Sequence, residues 1–105
     1  MSAADEVLAE RARQDARWGE QNHDPFVYGA ILGEELGEFM QAALKARFES
    51  DFQSETDRAR FARAMREEAV QCAAVALAII ECLDRGKWTW GGHALPVKAE
   101  ESPRG

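Results

Sequence analysis

Cysteine, proline and tyrosine are scarce in the sequence. Its 105 residues include two cysteines, three prolines and one tyrosine. Cys72 and Cys82 lie ten positions apart in one predicted helix, or about 15 Å along its axis, which is too far for a disulfide between them. We therefore expect both thiols to be reduced core side chains.

The chain also lacks an excess of positive charge and any long apolar run. Thirteen basic residues stand against nineteen acidic ones, for a formal net charge of −6 at pH 7. This balance disfavours a protein that grips the phosphates of nucleic acid. No stretch reaches the roughly 18 apolar residues of a membrane span, and residues 1–14 contain no apolar core of a signal peptide. We expect a cytoplasmic protein with neither a nucleic-acid nor a membrane partner.

Strand patterns are almost missing, and three helices account for most of the chain. Each predicted helix begins at a residue that can cap its N-terminus, and the first and third end at a glycine. The first predicted helix follows Ser2 and ends at about Trp18. The second runs from about Pro25 to Phe48, and the third runs from Ser54 to Arg85. The third is unusually long, and the sequence leaves open whether it is broken. The fold class is therefore all-α.

The chain is predicted to form a single domain over residues 1–97, with residues 98–105 as a C-terminal tail. Trp88 and Trp90 follow the third helix and receive no catalytic role. They cover either the end of the helical bundle or a partner subunit.

Two apolar features predict that the domain is completed by a second copy. Residues 69–80 are apolar apart from Gln71, and a helix that is apolar all round is normally surrounded by protein. In the second helix Gly29, Gly33 and Gly37 recur every fourth residue, each at a cost of up to about 1 kcal/mol relative to alanine. Close approach of a neighbouring helix would offset that cost. We expect at least a dimer.

Acidic residues stand on two of these helices, beside apolar positions. Glu34, Glu35 and Glu38 fall within five positions of the second helix, and Glu67 and Glu68 precede the apolar segment of the third. Most acidic clusters are solvated faces. Carboxylates next to a buried segment, however, are usually neutralised, paired or bound to a cation.

The sequence leaves two alternative partners for these carboxylates. One is ordinary ion pairing with Lys45 and Arg66. The other is a divalent cation such as Mg²⁺, which takes oxygen ligands and commonly binds a few carboxylates together with substrate phosphates. The second alternative explains more of the pattern.

The acidic motifs carry a family resemblance. Glu34-Glu35-x-x-Glu38, followed in the next helix by Glu68-x-x-Gln71, resembles the EExxE…ExxD signature of the MazG-like nucleotide pyrophosphohydrolases. The similarity extends over about residues 10–86. It implies a four-helix-bundle core built from all-α subunits, as a homodimer or homotetramer. It also implies hydrolysis of a nucleoside triphosphate to a monophosphate and pyrophosphate with Mg²⁺ or Mn²⁺.

The resemblance also implies roles for individual residues. The implied metal ligands are Glu35, Glu38, Glu68 and Gln71, and the last of these replaces the family's aspartate with a neutral amide. Glu34 would be a further ligand or the base that orients the attacking water. The catalytic set is therefore Glu34, Glu35, Glu38 and Glu68.

Four further residues are candidates for binding the substrate. Trp18, Asn22 and His23 precede the motif helix, where a ring and amide groups can stack on a base and form hydrogen bonds with it. Lys45 lies two turns beyond Glu38 and can meet a phosphate. A packed Trp18, a capping-loop Asn22 and a solvated Lys45 are the structural alternatives. Because Gln71 departs from the family pattern, a non-catalytic module that binds a nucleotide or a protein remains the alternative function.

Overall fold

The computed structural model describes residues 1–91, and within that range it contains three α-helices and no β-strand. Helix α1 spans Ala3–Trp18, α2 spans Pro25–Glu49 and α3 spans Glu55–Arg85. The predicted all-α class is confirmed, and α3 is continuous over its 31 residues. The predicted domain boundary at residues 97 and 98 lies outside the described residues. No helix in the described range is long and apolar enough to cross a membrane.

Local capping interactions explain why the helices begin where they do. The Ser2 hydroxyl accepts a hydrogen bond from the Asp5 amide, and the Asp5 carboxylate accepts one from the Ser2 amide in return. The Asp24 carboxylate accepts a hydrogen bond of 2.7 Å from the Phe26 amide at the start of α2. Ser54 caps α3 in the same way. Each side chain satisfies a backbone donor that the first helical turn leaves without a partner.

Helices α2 and α3 form an antiparallel pair joined by the short loop at residues 50–54. The end of α3 reaches the loop before α2, where the Arg85 guanidinium donates a 2.7 Å hydrogen bond to the Gln21 carbonyl. The Tyr28 hydroxyl donates to the same carbonyl at 3.0 Å. The pairing places the middle of α2 beside the middle of α3, where the acidic motifs lie.

Helix α1 packs against α3 and is attached to it through charged side chains. Glu6 pairs with Arg66, and the Arg11 guanidinium binds Glu81. Of all the residues in α1, only Arg11 is buried. Ion pairs thus join α1 to α3, and α1 contributes no fully buried apolar side chain.

The interior of the single chain is small for its length. The buried hydrophobic residues of the described range are Tyr28, Ala74, Val75 and Cys82. Both cysteines are free thiols, as predicted, although Cys72 is only half-buried. Residues 1–91 of one copy thus leave much of their apolar surface exposed.

The two apolar features of the sequence are not covered by other residues of the described range. In the apolar segment of α3 only Ala74 and Val75 are buried, while Ile80 is 55% exposed. No atom outside α2's own neighbouring backbone lies within 4 Å of where a Cβ at Gly29, Gly33 or Gly37 would stand. No helix of the same chain therefore makes the close approach that this glycine pattern predicts. Contact with a second copy stays a prediction.

The tryptophans after α3 pack against the beginning of α2. The rings of Trp88 and Trp90 meet edge to face, with centroids 5.1 Å apart, and Trp90 lies 5.6 Å from Phe26. The Gly91 amide donates a 2.5 Å hydrogen bond to the capping carboxylate of Asp24. Of the two predicted positions, the structure shows these rings at one end of the chain's own helix pair.

Candidate metal centre

Three of the motif carboxylates converge between α2 and α3. One oxygen from each of Glu35, Glu38 and Glu68 lies within 4.8 Å of the other two. Glu35 and Glu38 are three positions apart and therefore project from neighbouring points of α2, while Glu68 faces them from α3. The sequence predicted this meeting of the two motifs, and the antiparallel helix pair provides it. We call these three residues the carboxylate trio.

No basic side chain among the described residues forms a salt bridge with the carboxylate trio. Burial raises the pKa of Glu35, and the negative charges of Glu38 and Glu34 raise it further. Burial also raises the pKa of Glu68, together with a hydrogen-bond interaction with Glu38 and the charges around it. Cys72, next to the same carboxylates, has a raised pKa through burial and their field. Each shift reflects a site that disfavours more negative charge.

One oxygen of the trio lacks any partner. The Oε2 atom of Glu68 is buried and forms no hydrogen bond within the described residues. A buried carboxylate oxygen without a donor loses its hydration without compensation. A buried carboxylate oxygen of this kind is suited to bind a cation.

Ion pairing with Lys45 and Arg66 does not neutralise the acids. Arg66 pairs with Glu6 on α1, away from the trio. Lys45 forms no salt bridge within residues 1–91. The structure therefore does not support the first of the two partners left open by the sequence.

The other two predicted site residues of the motifs, Glu34 and Gln71, adjoin a member of the trio, Glu35. Glu34 is exposed, and its charge is felt by Glu35. Gln71 is half-buried and shares with Glu35 the wall of a cavity next to α1. Its amide forms no hydrogen bond with any described residue. Its oxygen is thus free to act on a ligand, as the predicted role requires.

The cavity next to α1 has a volume of about 530 Å³, within the range of sites for small organic ligands. We call it the α1 cavity, and its wall includes Trp18, Tyr28, Glu35 and Gln71. Trp18 is 57% exposed, and the Arg17 guanidinium lies 4.6 Å from its ring centroid. The structure thus places Trp18 in one cavity with two of the predicted metal ligands.

Asn22 and His23 do not line the α1 cavity. The Asn22 oxygen accepts a 3.0 Å hydrogen bond from Arg85, and its amide nitrogen donates one of 3.0 Å to Glu20. The His23 ring lies edge to face against Tyr28, with centroids 4.9 Å apart. Both side chains fix the loop before α2. Their contact with a substrate stays a prediction.

A second cavity of about 570 Å³ opens on the other side of the trio. We call it the Lys45 cavity, and it is lined by Glu38, Gln41, Ala42, Lys45, Arg60, Phe61, Ala64, Glu67 and Glu68. The predicted Lys45 thus lies in one cavity with two members of the trio. The role of Arg60 in this cavity was not predicted from the sequence. The spacing of Arg60, Ala64 and Glu68 could have indicated it, because residues four positions apart lie on one face of α3.

Comparison with known proteins adds no relative: no protein-family model, curated protein or solved structure matches the chain. The resemblance to the MazG-like proteins therefore depends on the two acidic motifs and the sequence around them.

Proposed function

We propose that this chain is a MazG-like, metal-dependent nucleoside triphosphate pyrophosphohydrolase. The observation that carries the proposal is the carboxylate trio, in which two facing helices bring three acids together without a basic partner among the described residues. The order and spacing of the motifs support the same family. A nucleotide-sized cavity with an exposed tryptophan adjoins the trio.

The donor set fits a hard divalent cation. Carboxylate oxygens are the ligands that Mg²⁺ and Mn²⁺ favour, and the unpartnered Oε2 of Glu68 is a donor without another function. Glu35, Glu38 and Glu68 would hold the ion, with the Gln71 carbonyl as a neutral fourth donor. When bound, such an ion neutralises phosphate charge and lowers the pKa of a coordinated water.

The residues of the chain then have separate tasks in the hydrolysis. Water oxygen forms a bond to phosphorus, the anhydride P–O bond between the α- and β-phosphates breaks, and nucleoside monophosphate and pyrophosphate leave. Glu34, exposed beside the trio, orients the water and accepts its proton. Trp18 offers a ring face to the base, and Lys45 offers a positive charge to the phosphates.

We further propose that the active assembly is a homodimer or homotetramer with a four-helix-bundle core. Leu36, Met40, Leu44 and Phe48 form a stripe along α2, and each is more than half exposed in the single chain. Met40 and Leu44 continue the line of the glycine positions, whose surface is open. A second α2–α3 pair against this stripe would bury it and enlarge the small core.

The second candidate function is a non-catalytic module that binds a nucleotide or a protein partner through the same acidic cleft. One observation favours it: Gln71 supplies no charge at the position where the family signature has an aspartate. Weaker metal binding at this position would allow nucleotide binding without turnover.

A product analysis tests the proposal. The purified chain is incubated with each common ribo- and deoxyribonucleoside triphosphate and Mg²⁺ or Mn²⁺, and pyrophosphate, orthophosphate and nucleotide products are measured. Equal amounts of monophosphate and pyrophosphate are expected from at least one substrate. A Glu38→Gln preparation, purified in parallel, controls for contaminating hydrolases. Nucleoside diphosphate with orthophosphate, or equal rates in the two preparations, would contradict the proposal.

A further inference from the structure

The carboxylate trio stands between two cavities of different chemistry. Glu35 lines the α1 cavity, whereas Glu38 and Glu68 line the Lys45 cavity. A ligand bound to an ion at the trio can therefore extend in two directions. Hydrolysis of a triphosphate has two products, and the structure offers a separate space for each.

The basic groups of the α1 cavity are largely engaged. Arg11 binds Glu81, Arg13 lies 2.7 Å from Glu10, and Arg85 donates to the backbone of the loop before α2. Arg17 covers one face of the Trp18 ring. This cavity thus offers an aromatic wall and few basic groups that are free to bind phosphate.

The basic groups of the Lys45 cavity are available. Lys45 forms no ion pair with a described residue, and Arg60 has only a 3.5 Å contact with Asp57, one turn away on the same helix. The Arg60 guanidinium lies 4.6 Å from the centroid of the Phe61 ring, which supports the stem while the charged end remains accessible. Arginine forks match the geometry of phosphate oxygens.

The charges of the Lys45 cavity also define the form of the anion. Glu38, Glu67 and Glu68 outnumber Lys45 and Arg60, so a free polyphosphate meets net negative charge. A divalent ion on the trio reverses that balance. The cavity is suited to a condensed phosphate that arrives with a divalent metal and is not suited to the free anion.

We infer that the Lys45 cavity binds the pyrophosphate end of the substrate, with Arg60 and Lys45 as its phosphate contacts, while the nucleoside occupies the α1 cavity. The inference rests on the proposed function for the identity of the substrate. It assigns a binding role to Arg60, which lies outside both acidic motifs. It also sets the direction of the substrate across the trio.

Calorimetric titration of pyrophosphate into the full chain, with and without Mg²⁺, tests this assignment without requiring turnover. The variants are Arg60→Gln and Lys45→Gln, and the matched control is Arg63→Gln, an exposed position of α3 that lines neither cavity. We expect metal-dependent binding that weakens about tenfold in each of the two variants and is unchanged in the control. Arg60→Lys, which keeps the charge, should retain most of the affinity.

The affinity for a nucleoside monophosphate separates this role from general damage, because it should be the same in all the variants. Equal pyrophosphate affinities for Arg60→Gln and Arg63→Gln, or no pyrophosphate binding to the wild type, would overturn the inference. If triphosphates are hydrolysed although Arg60→Gln and Arg63→Gln bind pyrophosphate equally well, the proposed function stands and the assignment of Arg60 is wrong. If no triphosphate is hydrolysed but Arg60→Gln alone loses pyrophosphate, the assignment stands and the proposed hydrolysis is wrong.

Discussion

The Glu68 carboxylate on α3 faces the Glu38 carboxylate on α2, and one oxygen of each lies within 4.8 Å of the other. Like charges at this separation repel, and the site is shielded enough from water to raise the pKa of Glu68. The pair is held together because α2 and α3 pack along their length. The helices thus impose a repulsion that an appropriate cation would convert into attraction.

Metal binding should therefore stabilise the fold. Mg²⁺ or Mn²⁺ at about 100 times its dissociation constant contributes about 2.7 kcal/mol to the free energy of unfolding. For a domain of this size the melting temperature should rise by roughly 10 °C or more. Calorimetry at fixed protein concentration measures this shift.

The Glu35→Gln/Glu38→Gln/Glu68→Gln variant should melt higher than the wild type without metal and should lose the response to metal. Glu49→Gln/Glu55→Gln, which changes two exposed acids away from the trio, is the control. A metal-dependent shift that persists in the triple variant would place the ions elsewhere.

The trio should also make the metal-free protein sensitive to pH. Glu35 and Glu68 have pKa values raised above the value of 4.5 for an unperturbed glutamate, so the folded state holds more protons than the unfolded state between those values. Stability contributed by these groups is present below pH 4.5 and is lost as the pH rises through the folded pKa.

Denaturant unfolding across this pH range, in a chelating buffer, measures the effect. The stability advantage of Glu35→Gln/Glu68→Gln over the wild type should grow as the pH rises above about 4.5 and then become constant. A stability advantage that does not change with pH would show that folding does not raise the pKa values of these two carboxyl groups.

Gln71→Asp tests the departure from the family signature. If Gln71 contacts the metal, the added charge should tighten metal binding about tenfold and increase pyrophosphate release. If Gln71 is only a packed amide, the new carboxylate should lower the melting temperature, and metal should not restore it. Melting temperature and product release with and without Mn²⁺ distinguish these results, with the loop substitution Gln53→Asp as the control.

The exposed stripe on α2 predicts the state of assembly. Light scattering at micromolar concentration should give a mass well above the 11.7 kDa of one chain. Met40→Glu places a charge in the centre of the stripe and should shift the mass toward the monomer, because burying that charge is costly. Gln53→Glu, in an exposed loop, should not. A wild-type monomer would contradict the proposed bundle.

The features predicted well from the sequence are those set by neighbouring residues. Ser2, Asp24 and Ser54 cap their own helices, so the beginnings of α1, α2 and α3 follow from a few positions each. Glu35 and Glu38 share a helix face by their spacing, and the second motif indicated where Glu68 would meet them. Local chemistry and the two motifs were sufficient for these features.

Other features depend on contacts between distant parts of the chain. The sequence suggested Arg66 as a partner for the acids, but in the structure Arg66 pairs with Glu6 of α1. Arg60 lines a cavity that exists only because α2 and α3 lie side by side. The described residues do not provide the burial expected around Gly33 and Ile80. A second copy that covers them stays a prediction.

The attachment of α1 has a consequence for access to the α1 cavity. Its one buried residue is the charged Arg11, and its cross-helix ion pairs include partly exposed groups, which dissolved salt screens. The wall of the α1 cavity should therefore loosen as ionic strength rises, while the α2–α3 pair that carries the trio remains packed. In deuterated solvent, the amides of α1 should exchange well before those in the middle of α3. The α1 cavity should thus open by a local movement of one helix, with the carboxylate trio still in place.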